Sequence, residues 1–155
     1  MEATITNTAV ITANVVTPIT VREIINAEEQ SLLTITKSVS PVPVTENGTL
    51  TYTFVIQNLG NTAATEETGV VITDTFNPVL KNLTATFNGT AWTEGADYTY
   101  DEITGMFASV AGKITVPAAT YTQDPATGAW GINPGVSTLV ISGTVSPPEE
   151  VKKVR

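Results

Sequence analysis

The chain has 155 residues, 41% hydrophobic and only 14% charged, enough for one domain with a core plus an extension. It holds no Cys and no His, which removes disulfides, thiolate chemistry, the commonest acid–base catalyst near neutral pH and the commonest nitrogen ligand for metals. With a net charge of −8 and only 7 Lys and Arg, it would repel phosphate backbones, so nucleic acid is not an expected partner.

About one residue in five is Thr, above ordinary usage. Thr is β-branched, fits a pleated strand and tolerates water, so the outward positions are written for strands. No stretch has the apolar length of a membrane span. The opening MEATITNTAVITANVV lacks a basic start and a continuous apolar run, so it does not read as a secretory signal. No residue set calls for a cofactor or a metal, and an enzyme is not expected.

Residues 3–16 alternate. Ala3, Ile5, Asn7, Ala9, Ile11, Ala13 and Val15 share one face, and Thr4, Thr6, Thr8, Val10, Thr12, Asn14 and Val16 share the other. The pattern predicts one long strand within residues 1–18, weakened near Pro18. Residues 19–31 are expected to be an extended or irregular linker. Glu23, Glu28 and Glu29 would suit a short helix, but the β-branched content opposes one.

From residue 32 strands recur between turn signals. Residues 32–40 form one, stopped by Pro41 and Pro43. After the turn at Glu46-Asn47-Gly48, residues 49–59 place Leu50, Tyr52, Phe54 and Ile56 on one face. Residues 69–76 align Val70, Ile72 and Phe76, and Asn77-Pro78 ends them. Residues 81–87 and 90–93 flank Asn88-Gly89, a hairpin signal. Further strands are predicted at 97–103 and 106–116. A loop through Asp124-Pro125 and Gly128 leads to a last strand at 138–145, with Leu139, Ile141 and Val145 on one face. Residues 147–155 read as a mobile tail. Many short strands at this spacing predict an all-β, antiparallel sandwich over residues 32–146.

Three stretches carry a resemblance: Leu33-Thr34-Ile35-Thr36-Lys37-Ser38-Val39-Ser40-Pro41, Leu50 through Gly60, and Val70-Val71-Ile72-Thr73-Asp74-Thr75-Phe76. They resemble the immunoglobulin-like repeat catalogued as domain of unknown function eleven, which occurs in tandem arrays on bacterial surface proteins. The resemblance covers residues 32–78 well and the rest loosely. It implies an immunoglobulin-like sandwich. That repeat usually closes with a strand reading Ile-Thr-Asn-Thr-Ala-Thr-Val. Here Ile5-Thr6-Asn7-Thr8-Ala9-Val10-Ile11 is similar to it but stands before the domain.

A sandwich without its closing strand exposes backbone groups and apolar surface. One expectation is circular permutation, with the 3–16 strand looping back into its own domain. The other is donation, with Ile5, Ala9, Ile11, Ala13 and Val15 filling the groove of the next copy. Such an interface is heterologous and extends into a filament, so the expected partner is the chain itself. On this expectation the chain is a structural subunit of a bacterial surface or spore fibre, outside the cell. The rival expectation is a ligand- or carbohydrate-binding adhesin module of a larger surface protein.

Lys37 shares parity with Leu33, Ile35 and Val39, so it is expected to point inward, where a charge needs a partner. Asp74 shares parity with Ile72 and Phe76, Asn7 with Ile5 and Ala9, and Asn58 with Phe54 and Ile56. The layout resembles the self-forming isopeptide bonds of Gram-positive pilin and adhesin domains. There a first-strand Lys joins a last-strand Asn with an acidic residue assisting. The resemblance implies Lys37, Asn7 and Asp74 for these roles, with Asn58 as the alternative partner. A plain Lys37–Asp74 ion pair is the competing expectation.

Asp97, Asp101 and Glu102, near Tyr98 and Tyr100, match no standard Ca²⁺ loop and read as a solvated acidic face. Trp92 and Trp130 suit either core and rim positions or a carbohydrate platform.

Overall fold

The structure is a computed structural model and describes residues 3–13, 16–45 and 47–145. The chain divides into two units, Met1–Gln30 and Ser31–Arg155. The predicted tail at 147–155, and Asn14 and Val15 of the predicted first strand, lie outside the described residues.

The first unit is a hairpin. β1 (Ala3–Ala13) pairs antiparallel with β2 (Val16–Ala27). Residues 19–27 of the expected extended or irregular linker are thus a paired strand, and the expected lone strand is one half of a two-stranded element. The physical reason lies in pairing. Val16, Ile19, Val21, Ile24 and Ile25 are β-branched, and opposite β1 they form cross-strand rungs that override the helix preference of the Glu residues.

The second unit is the sandwich. Its strands are β3 (Leu33–Ser40), β4 (Thr49–Asn58), β5 (Thr73–Thr75), β6 (Leu80–Phe87), β7 (Thr90–Ala91), β8 (Tyr98–Tyr100), β9 (Met106–Ser109), β10 (Thr120–Gln123), β11 (Trp130–Asn133) and β12 (Gly135–Val145). A five-stranded sheet runs β3-β4-β12-β6-β7, a three-stranded sheet runs β5-β9-β8, and β10-β11 form a separate hairpin. All these pairs are antiparallel. The described residues contain one 3₁₀ turn at Glu66–Thr68 and otherwise no helix. None is long and apolar enough to cross a membrane. The molecule is thus an all-β sandwich of the immunoglobulin-like kind.

The core follows the alternation of the sequence. Leu50, Tyr52, Phe54 and Ile56 on β4 and Leu139, Ile141 and Val145 on β12 are buried. They meet Ile72, Phe76, Phe107, Ile114 and Val116 from the other side. Phe76 anchors the aromatic part, 4.7 Å from the Tyr52 ring and 6.1 Å from Phe107. Each such side chain contributes about 1.5–3 kcal/mol on burial. Tyr100 closes one corner: its hydroxyl accepts from Leu80 N at 2.9 Å and donates to Leu80 O at 3.0 Å. At Asn88-Gly89 both residues have positive φ, 48° and 81°, as a two-residue hairpin turn between β6 and β7 requires.

Three sequence expectations change. The strand predicted at 69–76 is regular only at Thr73–Thr75, and just before it Ile72 N donates to the Ser109 hydroxyl rather than to the β9 backbone. The strand predicted at 106–116 stops at Ser109, and Val116 bridges Ala64 instead. The predicted loop around Asp124 holds the β10–β11 hairpin.

Candidate functional site

The two sheets are unequal, and the mismatch leaves one side of the sandwich open. β3 is an edge of the five-stranded sheet and β5 an edge of the three-stranded one. Leu33, Ile35, Lys37 and Val39 lie opposite Asn58, Ile56, Phe54 and Tyr52. Residues opposed in an antiparallel pair share a face. On β4 these residues are buried, at 7% exposure or less. On β3 the same face is uncovered: Ile35 is 51% and Val39 40% exposed. A cleft of about 310 Å³ runs between the edges, lined by Leu33, Ile35, Ile56, Val70, Ile72 and Thr73.

Among the described residues the outer edge of β5 also pairs with no strand. Ile72 and Phe76 direct backbone bonds to Ser109 and Gly105 on the β9 side. Alternation turns the backbone groups of Thr73 and Thr75 toward the open edge. There Thr75 N donates to its neighbour's Asp74 Oδ1 at 2.9 Å.

Lys37 and Asp74 meet across this opening. The Lys37 ammonium pairs with Asp74 Oδ2 and lies 4.7 Å from the Tyr52 ring centre, 5.5 Å from Phe76 and 5.6 Å from Phe54. Asp74 Oδ2 is buried and, among the described residues, has the Lys37 ammonium as its charged partner and no hydrogen bond. Lys37 does stand on the core side of β3, yet its side chain is 40% exposed, because among the described residues no strand pairs with the outer edge of β3.

Asn58 does not join them. It lies opposite Leu33, four residues along β3 from Lys37, or about 13 Å at the strand rise. Both ends of its carboxamide are engaged: Oδ1 accepts from Leu32 N and Gly60 N at 2.9 Å, and Nδ2 donates to Thr62 O at 2.7 Å. Parity identified its face, not its level along the strand. Asn58 therefore clamps the start of β3 and is corrected as a partner for Lys37. Asn7 belongs to the hairpin unit, opposite Glu23. Ile5, Ala9, Ile11 and Ala13 share its face, opposite Ile25, Val21, Ile19 and Val16.

The acidic residues do not gather. The Thr93 N–H and then Lys113 hold the Asp97 carboxyl below the usual range, with Lys113 at 3.0 Å. The Ile103 N–H and then the Thr104 hydroxyl do the same for Asp101. Glu102 faces Lys81 at 3.4 Å. Among the described residues no three acidic groups converge on a metal position. Burial pushes the phenols of Tyr98 and Tyr100 up.

Trp92 stacks on Phe87 at 5.2 Å, at the margin of the core. Trp130 is 67% exposed on β11, on the same face of the hairpin as Tyr121 and Ile132. Sequence reasoning missed this apolar patch because strands of four residues carry too short a period to register.

No family model, curated protein or solved structure matches the chain.

Proposed function

We propose that the protein is a structural subunit of an extracellular bacterial fibre, on a cell or spore surface, built head-to-tail by strand donation. One observation carries the reading: the core-side face of β3 is uncovered, with Ile35 half exposed above a β4 that is fully packed. An open edge beside bare apolar surface is a template for another chain. The likeness of residues 32–78 to a bacterial surface repeat adds to it. So does the amphipathic N-terminal unit. A two-stranded hairpin is marginal in water unless its apolar face is buried.

Within this reading the joint has a covalent option. Lys37 amine nitrogen would bond to the Asn7 side-chain carbonyl carbon of the arriving copy. The Asn7 C–N bond breaks, and its nitrogen leaves as ammonia carrying a proton from the amine. Asp74, which pairs with Lys37, would relay that proton.

Electron microscopy of the purified chain tests the reading, with filaments expected. A dispersed, stable monomer at high concentration would overturn it. Intact mass under denaturing conditions tests the bond: one ammonia lost per joint and a boiling-resistant ladder are expected, against plain monomer mass. The second reading, an adhesin module, draws on exposed Trp130, Tyr121 and Ile132. Glycan binding by isolated particles would favour it.

A further inference from the structure

We infer that the donated element is the whole β1–β2 hairpin, with β1 pairing antiparallel to residues 70–76 of a second copy so that Asn7 lies opposite Asp74. This rests on the strand-donation reading and gives it an edge, a direction and a register.

The edge follows from what is missing. The three-stranded sheet is two strands short of the sheet it faces, and its free edge β5 borders the uncovered face of β3. A hairpin supplies two strands. In the observed register one face of the hairpin carries Ala3, Ile5, Ala9, Ile11 and Ala13 with Val16, Ile19, Val21, Ile25 and Ala27. The polar rung on that face is Asn7 opposite Glu23. The cleft it would cover is mostly apolar, with Thr34 and Thr73 in its lining, and the charged groups at this opening are Lys37 and Asp74. Polar rung and ion pair must therefore meet, because any other register buries one or both against apolar surface. The match also puts a carboxylate, Glu23, at the level of the Lys37 ammonium.

The register then agrees along its length. Inward residues Val70, Ile72 and Phe76 fall opposite Ile11, Ala9 and Ile5. Outward Val71, Thr73 and Thr75 fall opposite Val10, Thr8 and Thr6. Val10 and Val71 are 57% and 48% exposed, and the pairing would bring them together.

Chain reach shows why the partner must be a second copy. Residues 70–73 lie beside Leu33–Ile35, Asp74 beside Lys37, and Phe76 against Tyr52, which is opposite Val39. β5 thus runs in the same direction as β3. Every pairing in the sandwich unit's sheets is antiparallel, and a β1 that continues the pattern sends β2 along the direction of β3. With Glu23 level with Lys37, Ala27 ends about eight residues beyond the level of Leu33, roughly 26 Å away. Six backbone steps join Ala27 to Leu33 and span at most about 20–22 Å even when straight. The hairpin cannot reach back to its own sandwich in this pose. It reaches forward, leaving the next sandwich beyond the far end of the first, which is a head-to-tail, non-closing contact.

The absence of native Cys makes a disulfide test clean. The full-length Thr8→Cys/Thr73→Cys chain, with Lys37→Arg added so that no amide joint can form, is oxidised and run on a non-reducing denaturing gel beside Thr4→Cys/Thr73→Cys with the same Lys37→Arg change, which is about 13 Å out of register. A ladder from the first and none from the second is expected. An equimolar mixture of the two single variants, Thr8→Cys and Thr73→Cys, should give a dimer whose linked peptides join position 8 of one copy to position 73 of another. A disulfide-closed monomer from the first variant overturns the inference and the polymer reading together. Filaments in the microscope with no ladder, or with equal ladders from both variants, overturn this register and leave the polymer reading standing. Neither filaments nor a ladder overturns both.

Discussion

Lys37 on β3 and Asp74 on β5 form an ion pair that ties the edge of one sheet to the edge of the other across the open side. Asp74 is the more enclosed partner, 19% exposed against 40% for the Lys37 side chain, and its Oδ2 has no hydrogen bond to fall back on. Replacing Lys37 by Met therefore strands a buried oxygen. The expected cost is about 1–2 kcal/mol, the lower part of the range for an orphaned acceptor, since solvent screens the pair. Lys37→Met combined with Asp74→Asn should recover most of it. Urea unfolding of the two single variants and the double variant measures the coupling, and additive effects would show that the pair contributes nothing.

Ile35→Lys should separate folding from assembly. Half of Ile35 is already in water, so the sandwich should lose no more than about 1 kcal/mol. A charge on the floor of the cleft should abolish filaments. Thermal melting and microscopy of the same sample check both halves, and persistent filaments would contradict the assigned cleft.

Phe76→Ala should be far costlier. Phe76 is 1% exposed and packs among Tyr52, Tyr100 and Phe107. A cavity there is expected to remove about 3–5 kcal/mol, read as a fall in the urea midpoint.

Acid should weaken the fold in a defined window. Asp97, Asp101 and Asp124 are held below their ordinary value of 3.8, chiefly by backbone N–H groups of Thr93, Ile103 and Ala126 respectively. As pH falls, the unfolded chain takes up these protons first. Their contribution is complete above the ordinary value and is lost as pH drops through the depressed ones. Melting temperature should decline on acidification below about pH 4, and Asp101→Asn should flatten that decline. An unchanged slope in the variant would count against Asp101 as a source.

Much of the fold was legible in the residues. Leu50, Tyr52, Phe54 and Ile56 announced β4 and its buried face, and Asn88-Gly89 announced the turn between β6 and β7. The meeting of Lys37 and Asp74 was suggested by parity on two separate strands. Residues 16–27 were not legible as a strand, because Pro18, Arg22 and Glu23 mask a pattern completed only by β1 opposite. Asn58 was misplaced as a partner for the same kind of reason: parity names a side, and level along a strand comes from pairing.

Local patterns in the residues were enough for the all-β class, the alternating faces, the turns and the absence of Cys and His chemistry. These rest on local rules, the two-residue period of a strand and the φ preferences of turn residues. Long-range packing set the rest: the face shared by Ile35 and Val39 is left exposed, β5 borders it, and Asn58 stands at a different level from Lys37. Cover and level belong to contacts between residues distant in sequence, and no local pattern encodes which strand ends up beside which.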